Sequence, residues 1–390
     1  MAYFDFATWG RLAKLITRER SAGKRKLFLF GVFGGLTVMS AVSALALALD
    51  SLLFRGWRRV EPQPPIFIIG NGRSGTTHLH RLLTADQGRF SYFKTYELLM
   101  PAVVQKKMFQ VIALIDRRCF GGAGARWFQA KEGASLEEVR KLHDWQSTGS
   151  EEDDFIMLHN FSALSLIWPF PYPELGYLYD TDKMPEQDRR RIVGWYRDMI
   201  KRQLYTNGPT LIHCAKSPQF TLKMRALAET FPGARFVVMM RHPYECIPSL
   251  IDLMSWYWRN MGASEAVIET EARQFREKMI EQFRYAVDVA DDMPTDRCAM
   301  VRFEDLLADP KAVVLDLYHR FGLSVSPAFD EYLEGERQHA LSFRSKHEYE
   351  GLKDEALRQR IDTELDDLFA RFGWLREQGD AAESSQKESQ

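Results

Sequence analysis

The apolar run Ile66-Phe67-Ile68-Ile69 leads directly into Gly70-Asn71-Gly72-Arg73-Ser74-Gly75-Thr76-Thr77, and a helical pattern follows to Leu83. G-x-x-x-x-G followed by two small hydroxyl residues, set between a strand and a helix, commits this stretch to an α/β arrangement with an anion site. Backbone N–H groups of such a loop, and the helix N-terminus behind it, point at whatever the loop encloses. Further strands are read at Thr210–Cys214, Arg235–Met240 and Met300–Phe303, with helices from Leu222 to Phe231 and from about Pro310. Apolar strands separated by helices predict a parallel sheet covered on both faces. Binding sites of such sheets lie at the carboxyl ends of the strands.

A nucleoside triphosphate loop of the Walker type needs Lys where Thr76 stands. Here the cation is Arg73, inside the loop, and no acidic Mg²⁺ partner stands out. The loop is therefore read as an anion site for a ligand other than Mg-ATP. A donor carrying one phosphate and one sulfonate has less charge at the transferred group and reacts without a metal.

From Leu27 to Leu49 the chain runs 23 residues without a charge. About 20 such residues cross a bilayer as a helix. A buried core helix is the alternative, opposed by Gly31, Gly34 and Gly35, which weaken a soluble helix. Of 52 basic and 53 acidic residues, seven and two fall within residues 1–26, so the remainder carries a formal charge of −6. A basic lead-in before a mildly acidic body points to a membrane surface and away from nucleic acid. Within it Trp9, Leu12, Leu15 and Ile16 share one helical side and Arg11, Lys14 and Arg18 the other, the pattern of a helix in the headgroup plane. The charge asymmetry favours an exported body. Four isolated cysteines, Cys119, Cys214, Cys246 and Cys298, favour a cytosolic one. A monotopic insertion satisfies both. The expectation is a membrane-associated chain, single-pass or monotopic, with a cytoplasmic catalytic domain and the exported side left open. Overall, 45% hydrophobic and 27% charged residues exclude a disordered chain and a polytopic membrane protein.

The segment PIFIIGNGRSGTTHLHRLL resembles the 5′-phosphosulfate loop of sulfotransferases that use 3′-phosphoadenosine 5′-phosphosulfate. Arg241-His242-Pro243 through Ser249 looks like the 3′-phosphate motif of the same family, an Arg with a Ser eight residues on. Physically, Arg241 supplies a bidentate donor from a strand end, and Ser249 adds a hydroxyl from the following helix. Ala215-Lys216-Ser217-Pro218-Gln219-Phe220 resembles the K-S-P loop of bacterial members, with Phe220 where many have His. Pro218 stands where cytosolic members have their catalytic His, so that base has no counterpart. The segment from Arg302 to Pro310 looks like the family's late E-D-L-x-x-D-P scaffold. The resemblance spans about residues 65–375 and is greatest to the bacterial branch called sulfotransferase family 3.

It implies an α/β sulfotransferase fold, a P-loop-like parallel sheet flanked by helices and preceded by a membrane-inserted helix. The chain then divides into a basic amphipathic segment (1–26), a membrane helix (27–49), a linker (50–65), a sulfotransferase domain (66–375) and a disordered tail (376–390). Arg73, Ser74, Gly75, Thr76, Thr77, His78, Arg241 and Ser249 are expected to bind the co-substrate, with Arg73 and Lys216 stabilising charge on the leaving oxygen. No metal is expected. For the base that takes the acceptor's proton, Glu97 stands at nearly the distance of the catalytic Glu of heparan sulfotransferases, in apolar surroundings that raise a carboxyl pKa. The other reading of Glu97 is a buried ion-paired residue that positions Arg73 or Lys216. Glu151-Glu152-Asp153-Asp154 is the rival, itself also readable as a helix start. His80 is read as structural, and Arg344, Lys346 and His347 as a solvated basic loop. The acceptor is expected to be a lipid, a lipid-linked glycan or another membrane-bound alcohol, with Leu166-Ile167-Trp168-Pro169-Phe170-Pro171-Tyr172 as a pocket wall or a core segment. Two other classes compete. A Mg²⁺-dependent P-loop kinase or NTPase is opposed by Thr76. A non-catalytic, membrane-tethered nucleotide-binding module is opposed by the intact Glu97, Lys216 and Arg73.

Overall fold

In the computed structural model, which describes residues 3–19, 23–124, 126–127, 151–342, 352 and 354–376, five parallel strands form one sheet. They are β1 (Ile66–Gly70), β2 (Phe90–Ser91), β3 (Ile212–Lys216), β4 (Arg235–Met240) and β5 (Cys298–Arg302), in the order β2-β3-β1-β4-β5. The central position of β1 follows from its composition, since all five of its residues are buried and only a strand covered on both faces tolerates that. Alternate residues serve opposite cores. Phe67 and Ile69 join Phe236, Val238 and Met240 on one side; Ile66 and Ile68 join Val237, Met239 and Val301 on the other.

The helices are α1 (Phe6–Arg18), α2 (Gly23–Leu53), α3 (Thr76–Thr84), α4 (Thr95–Leu99), α5 (Val103–Cys119), α6 (Glu186–Asn207), α7 (Met224–Thr230), α8 (Pro243–Asn260), α9 (Glu265–Asp291), α10 (Phe303–Ala308), α11 (Pro310–Arg320), α12 (Pro327–Ser342), α13 (Glu355–Glu364) and α14 (Asp366–Phe372). Leu79, Leu82 and Leu83 of α3 pack with Val314 and Leu317 of α11 on one face. Residues of α6, α7, α8 and α9 cover the other. The expected strands are present. The second begins two residues later than the sequence indicated and runs on to Lys216, while β2, only two residues long, carries no sequence pattern.

The N-terminal helices depart from expectation. Leu12 and Ile16 of α1 are fully buried, in one core with Leu29 and Phe33 of α2. Trp9 packs on Phe33, and its indole N–H donates to Thr37 at 3.1 Å. The apolar side of α1 therefore faces protein rather than lipid, correcting the headgroup-plane reading. Helix α2 is longer than the uncharged run, 31 residues. The basic loop of Arg344, Lys346 and His347, and the tail beyond Arg376, lie outside the described residues.

Candidate active site

Strand β1 lies between β3 and β4, and the chain passes from β3 to β4 across it, so the strand order reverses at β1. Such a reversal opens a crevice beyond the strand's carboxyl end. A cleft of about 390 Å³ lies there, lined by Gly72, Arg73, Gly75, Thr76, Thr77 and His78 together with Glu152, Gln219, Arg241 and Phe303.

The loop is held in an uncommon conformation. Arg73 adopts a left-handed backbone, φ 68°, at a cost of about 1–2 kcal/mol for a residue with a Cβ. Its carbonyl accepts from Arg241 Nη1 at 2.8 Å, which fixes the turn. Gly75 caps α3 with φ +89°, and a Cβ there would stand 2.5 Å from the Phe303 ring. Ser74 is buried and its hydroxyl donates to the Asn71 carbonyl at 2.6 Å, so its side chain serves the loop. Arg73 Nε donates to Ser249 Oγ at 3.3 Å. Arg241 rests 4.4 Å above the Phe303 ring and pairs with Glu245 at 2.7 Å. The loop, the β4 end and α8 thus meet as the sequence implied.

Lys216, at the end of β3, is 2% exposed and reaches Thr77 Oγ1 at 3.4 Å. Neither Lys216, which is buried, nor Arg73, which is exposed, has an ion pair among the described residues. The buried Lys216 charge is costly until an anion arrives. His78 lines the cleft, and burial holds its imidazole below the ordinary value. His80 lies beneath, fully buried, with Nε2 3.0 Å from the Cys214 carbonyl; burial and, next, Lys216 push it down to about 3.

The structure places Glu97 elsewhere. It is fully buried on α4, 2.7 Å from Lys106, and accepts from the Lys94 N–H at 2.9 Å and from Asn207 at 3.1 Å. It does not line the cleft, which corrects its assignment as the base. Its apolar surroundings are filled by Lys106, so the ion-paired reading applies, with a partner other than Arg73 or Lys216. The acidic cluster divides. Asp153 accepts from Tyr196 at 2.6 Å and sits 2.9 Å from His213; Asp154 accepts from Lys223 at 2.7 Å and from Ser165. Both are buried and held in structural contacts. Glu152 alone among the four lines the cleft, half-buried, accepting from Gln219 Nε2, whose amide oxygen accepts from Ser217. Lys278 and Gln282 of α9 also line it, and were missed. Their signal was a Lys-x-x-x-Gln pair on the turns that carry Phe275 and Met279. Lys278 is neutralised by Asp180 at 2.7 Å.

A second cavity, about 1040 Å³, shares Arg73, Trp168, Leu253 and Met254 with the cleft and adds Lys24, Phe28, Ser249, Trp256, Tyr257 and Met261. Trp168 stands at the junction, edge-on to Tyr257 and Phe155. Arg25 Nη1 donates to the Met261 carbonyl at 3.0 Å and ties the start of α2 to this wall. The cleft therefore continues as a wide, largely apolar gallery beside the start of α2.

Comparison with known proteins agrees with this geometry. The chain is 25% identical over 344 residues to the omega-hydroxy-beta-dihydromenaquinone-9 sulfotransferase Stf3 of Mycobacterium bovis, over 86% of this chain and 81% of the relative. The protein of the same name from Mycobacterium tuberculosis matches to the same extent. Among solved structures, the sulfotransferase STF9 from Mycobacterium avium superposes with a TM-score of 0.68 at 16% identity, over 95% of this chain and 97% of that one. The sulfotransferase STF1 from Mycobacterium tuberculosis H37Rv gives 0.63 at 16% identity, over 92% of each chain. The fold is thus that of the sulfotransferases, and the sulfotransferase family model matches residues 64–327. The chain belongs to the sulfotransferase family and is an enzyme of sulfonate transfer.

Proposed function

We propose that the enzyme moves the sulfonate group of 3′-phosphoadenosine 5′-phosphosulfate to a hydroxyl on a membrane-resident acceptor and releases adenosine 3′,5′-bisphosphate. The observation that carries this reading is the glycine-rich loop before α3 with two cations beside it, exposed Arg73 and buried Lys216, neither ion-paired among the described residues. Backbone N–H groups of residues 74–77 would hold the 5′-phosphosulfate, and Arg241 and Ser249 the 3′-phosphate. His78 borders the same space. The family as a whole generally uses this donor.

In the reaction the acceptor oxygen attacks sulfur while the bond from sulfur to the 5′-phosphate oxygen breaks. Charge developing on that oxygen is met by Arg73 and Lys216, held before the reaction begins. The hydroxyl proton passes to a carboxylate, and Glu152 is the acid of the cleft that can take it. Gln219 orients Glu152 from one side. For the acceptor, the gallery supports an apolar chain bearing a terminal hydroxyl, a description that also suits the omega-hydroxylated menaquinone derivative in the name of the Mycobacterium bovis relative. The four cysteines are free, three of them buried, which supports a body on the reducing, cytoplasmic side.

Thermal melting of the detergent-solubilised protein with adenosine 3′,5′-bisphosphate, ADP and ATP, each with and without Mg²⁺, tests the donor assignment. At 100 times its Kd the bisphosphate should stabilise by about 2.7 kcal/mol, independently of Mg²⁺. Stabilisation by Mg-ATP alone would overturn the reading.

A further inference from the structure

Helix α2 has two faces along its whole length. Leu29, Phe33, Ser40, Ser43, Ala46 and Asp50 are buried against the body, while Leu27, Val38, Val42, Leu45, Leu49 and Leu52 are exposed. From Leu29 to Asp50 the packed face extends about 32 Å at 1.5 Å per residue, as long as the hydrocarbon layer is thick. Were α2 to cross the bilayer, the elements packed on that face would have to cross with it. Those elements include α1, the turn at Asp153–Asn160 and the buried pair of Asp50 with Arg202 at 3.2 Å.

A second apolar surface adjoins it. Asp50 accepts from the Val103 and Val104 N–H groups, each at 2.8 Å, and so pins the start of α5 to α2. Beyond that turn α5 exposes Met108, Phe109, Val111, Ile112, Leu114 and Ile115, distributed round most of its circumference. A helix apolar nearly all round is at home in hydrocarbon. Cations flank both helices: Lys24 and Lys26 at the start of α2, Arg55, Arg58 and Arg59 after it, Arg117 and Arg118 at the end of α5. The only carboxylates within the two helices are Asp50, which is buried, and Asp116, whose Oδ1 accepts from Gly124.

We propose that α2 and α5 together seat the enzyme in a single leaflet, lying in the membrane rather than crossing it. The occupant of the apolar surface is then a lipid bilayer with anionic headgroups. Charge selects it over a second copy of the chain, whose identical basic rim would repel. Phe28 belongs both to the outward face of α2 and to the gallery, which Trp256 and Tyr257 also line, and such aromatics favour the bilayer interface. The gallery mouth accordingly opens at the leaflet surface, and an acceptor can enter from the side without passing through water.

Two measurements test this, and neither depends on turnover. In a Cys119→Ser background, Gly23→Cys and Arg55→Cys place a reactive thiol at either end of α2, the other native thiols being buried. With an impermeant maleimide and sealed membrane vesicles, both ends should label together in one vesicle orientation and be shielded together in the other. Labelling of the two ends from opposite sides would overturn the proposal, because α2 would then span. In flotation with vesicles of phosphatidylcholine and phosphatidylglycerol, wild-type protein should float, and Ile112→Glu with Leu114→Glu should weaken partition by about tenfold or more. Val42→Glu does the same from α2, and both variants alter exposed positions, so their melting in detergent should match wild type. Wild-type protein that stays off the vesicles as a dimer would overturn the proposal in favour of a closed interface between copies.

Discussion

Glu97 is fully buried against Lys106, whereas Glu152 is half-buried and lines the cleft, and the tasks proposed for them are opposite. Lys106, 4% exposed, has its ammonium destabilised by burial and restored by Glu97. Removing one partner of such a pair costs about 3–5 kcal/mol. Glu97→Gln is therefore expected to lower the melting temperature markedly while the protein that remains folded keeps its kcat. Glu152→Gln should keep its melting temperature and lose about 10²–10⁴-fold in kcat, the usual range for a lost general base. The reverse pattern would return the base to Glu97. His80 makes a prediction in pH. Its folded pKa lies near 3, below the ordinary 6.5, so the unfolded chain takes the proton first on acidification. The stability linked to neutral His80 is fully present above pH 6.5 and is lost as pH falls from there toward 3, up to an order of 5 kcal/mol at 1.36 kcal/mol per pH unit. Melting curves of wild type and His80→Gln between pH 7 and 4 should converge as pH drops. Parallel curves would show that His80 does not carry this dependence.

At the scale of elements, Asp50 has an outsized role for one side chain at the end of an apolar helix. It caps α5 through two backbone N–H groups and holds Arg202, whose guanidinium also lies 3.6 Å from the Trp57 ring centroid. Loss of a cap costs about 1 kcal/mol, and an orphaned buried Arg adds several more. Asp50→Ala should shift the urea midpoint in detergent to lower values by that sum. An unchanged midpoint would mean that α5 is held by something else. Elements of this kind also show where sequence stops being informative. The strands β1 and β4 were legible because an unbroken apolar run bounded by glycine or a polar loop has one explanation in a covered sheet. The side that α1 turns to was not legible. Trp9, Leu12 and Ile16 make the same stripe whether lipid or Phe33 covers it. The meeting of Arg73 with Arg241 and Ser249 was legible because short loops at neighbouring strand ends must meet and Ser249 lies on the helix that follows the second loop. Glu152 was not separable from Asp153 and Asp154, since irregular turns aim successive side chains in different directions without a period to read.

For the whole molecule, cleft, gallery and α2 form one continuous path, with Arg73 and Trp168 where the first two join and Phe28 where the gallery meets the helix. That continuity predicts how the enzyme ranks its acceptors. A tail lying in an apolar gallery gains about 0.8 kcal/mol for each methylene removed from water. Since 1.4 kcal/mol is a factor of ten, kcat/KM for a series of straight-chain primary alcohols should climb about fourfold per carbon until the gallery is full, then level off. The comparison belongs below the alcohols' solubility limits, without vesicles, so that partition into lipid does not imitate tail binding. Placing a charge in the gallery with Trp256→Glu, a position 41% exposed, should flatten this slope. The donor's melting shift should survive, because Gly75, Thr76, Thr77 and His78 of the phosphate loop line the cleft and not the gallery. A flat wild-type series would remove the gallery from acceptor binding and leave the sulfonate chemistry proposed at Arg73 and Lys216 untouched. A rising series that Trp256→Glu does not alter would place the tail elsewhere along the cleft, against Phe275 and Met279 of α9.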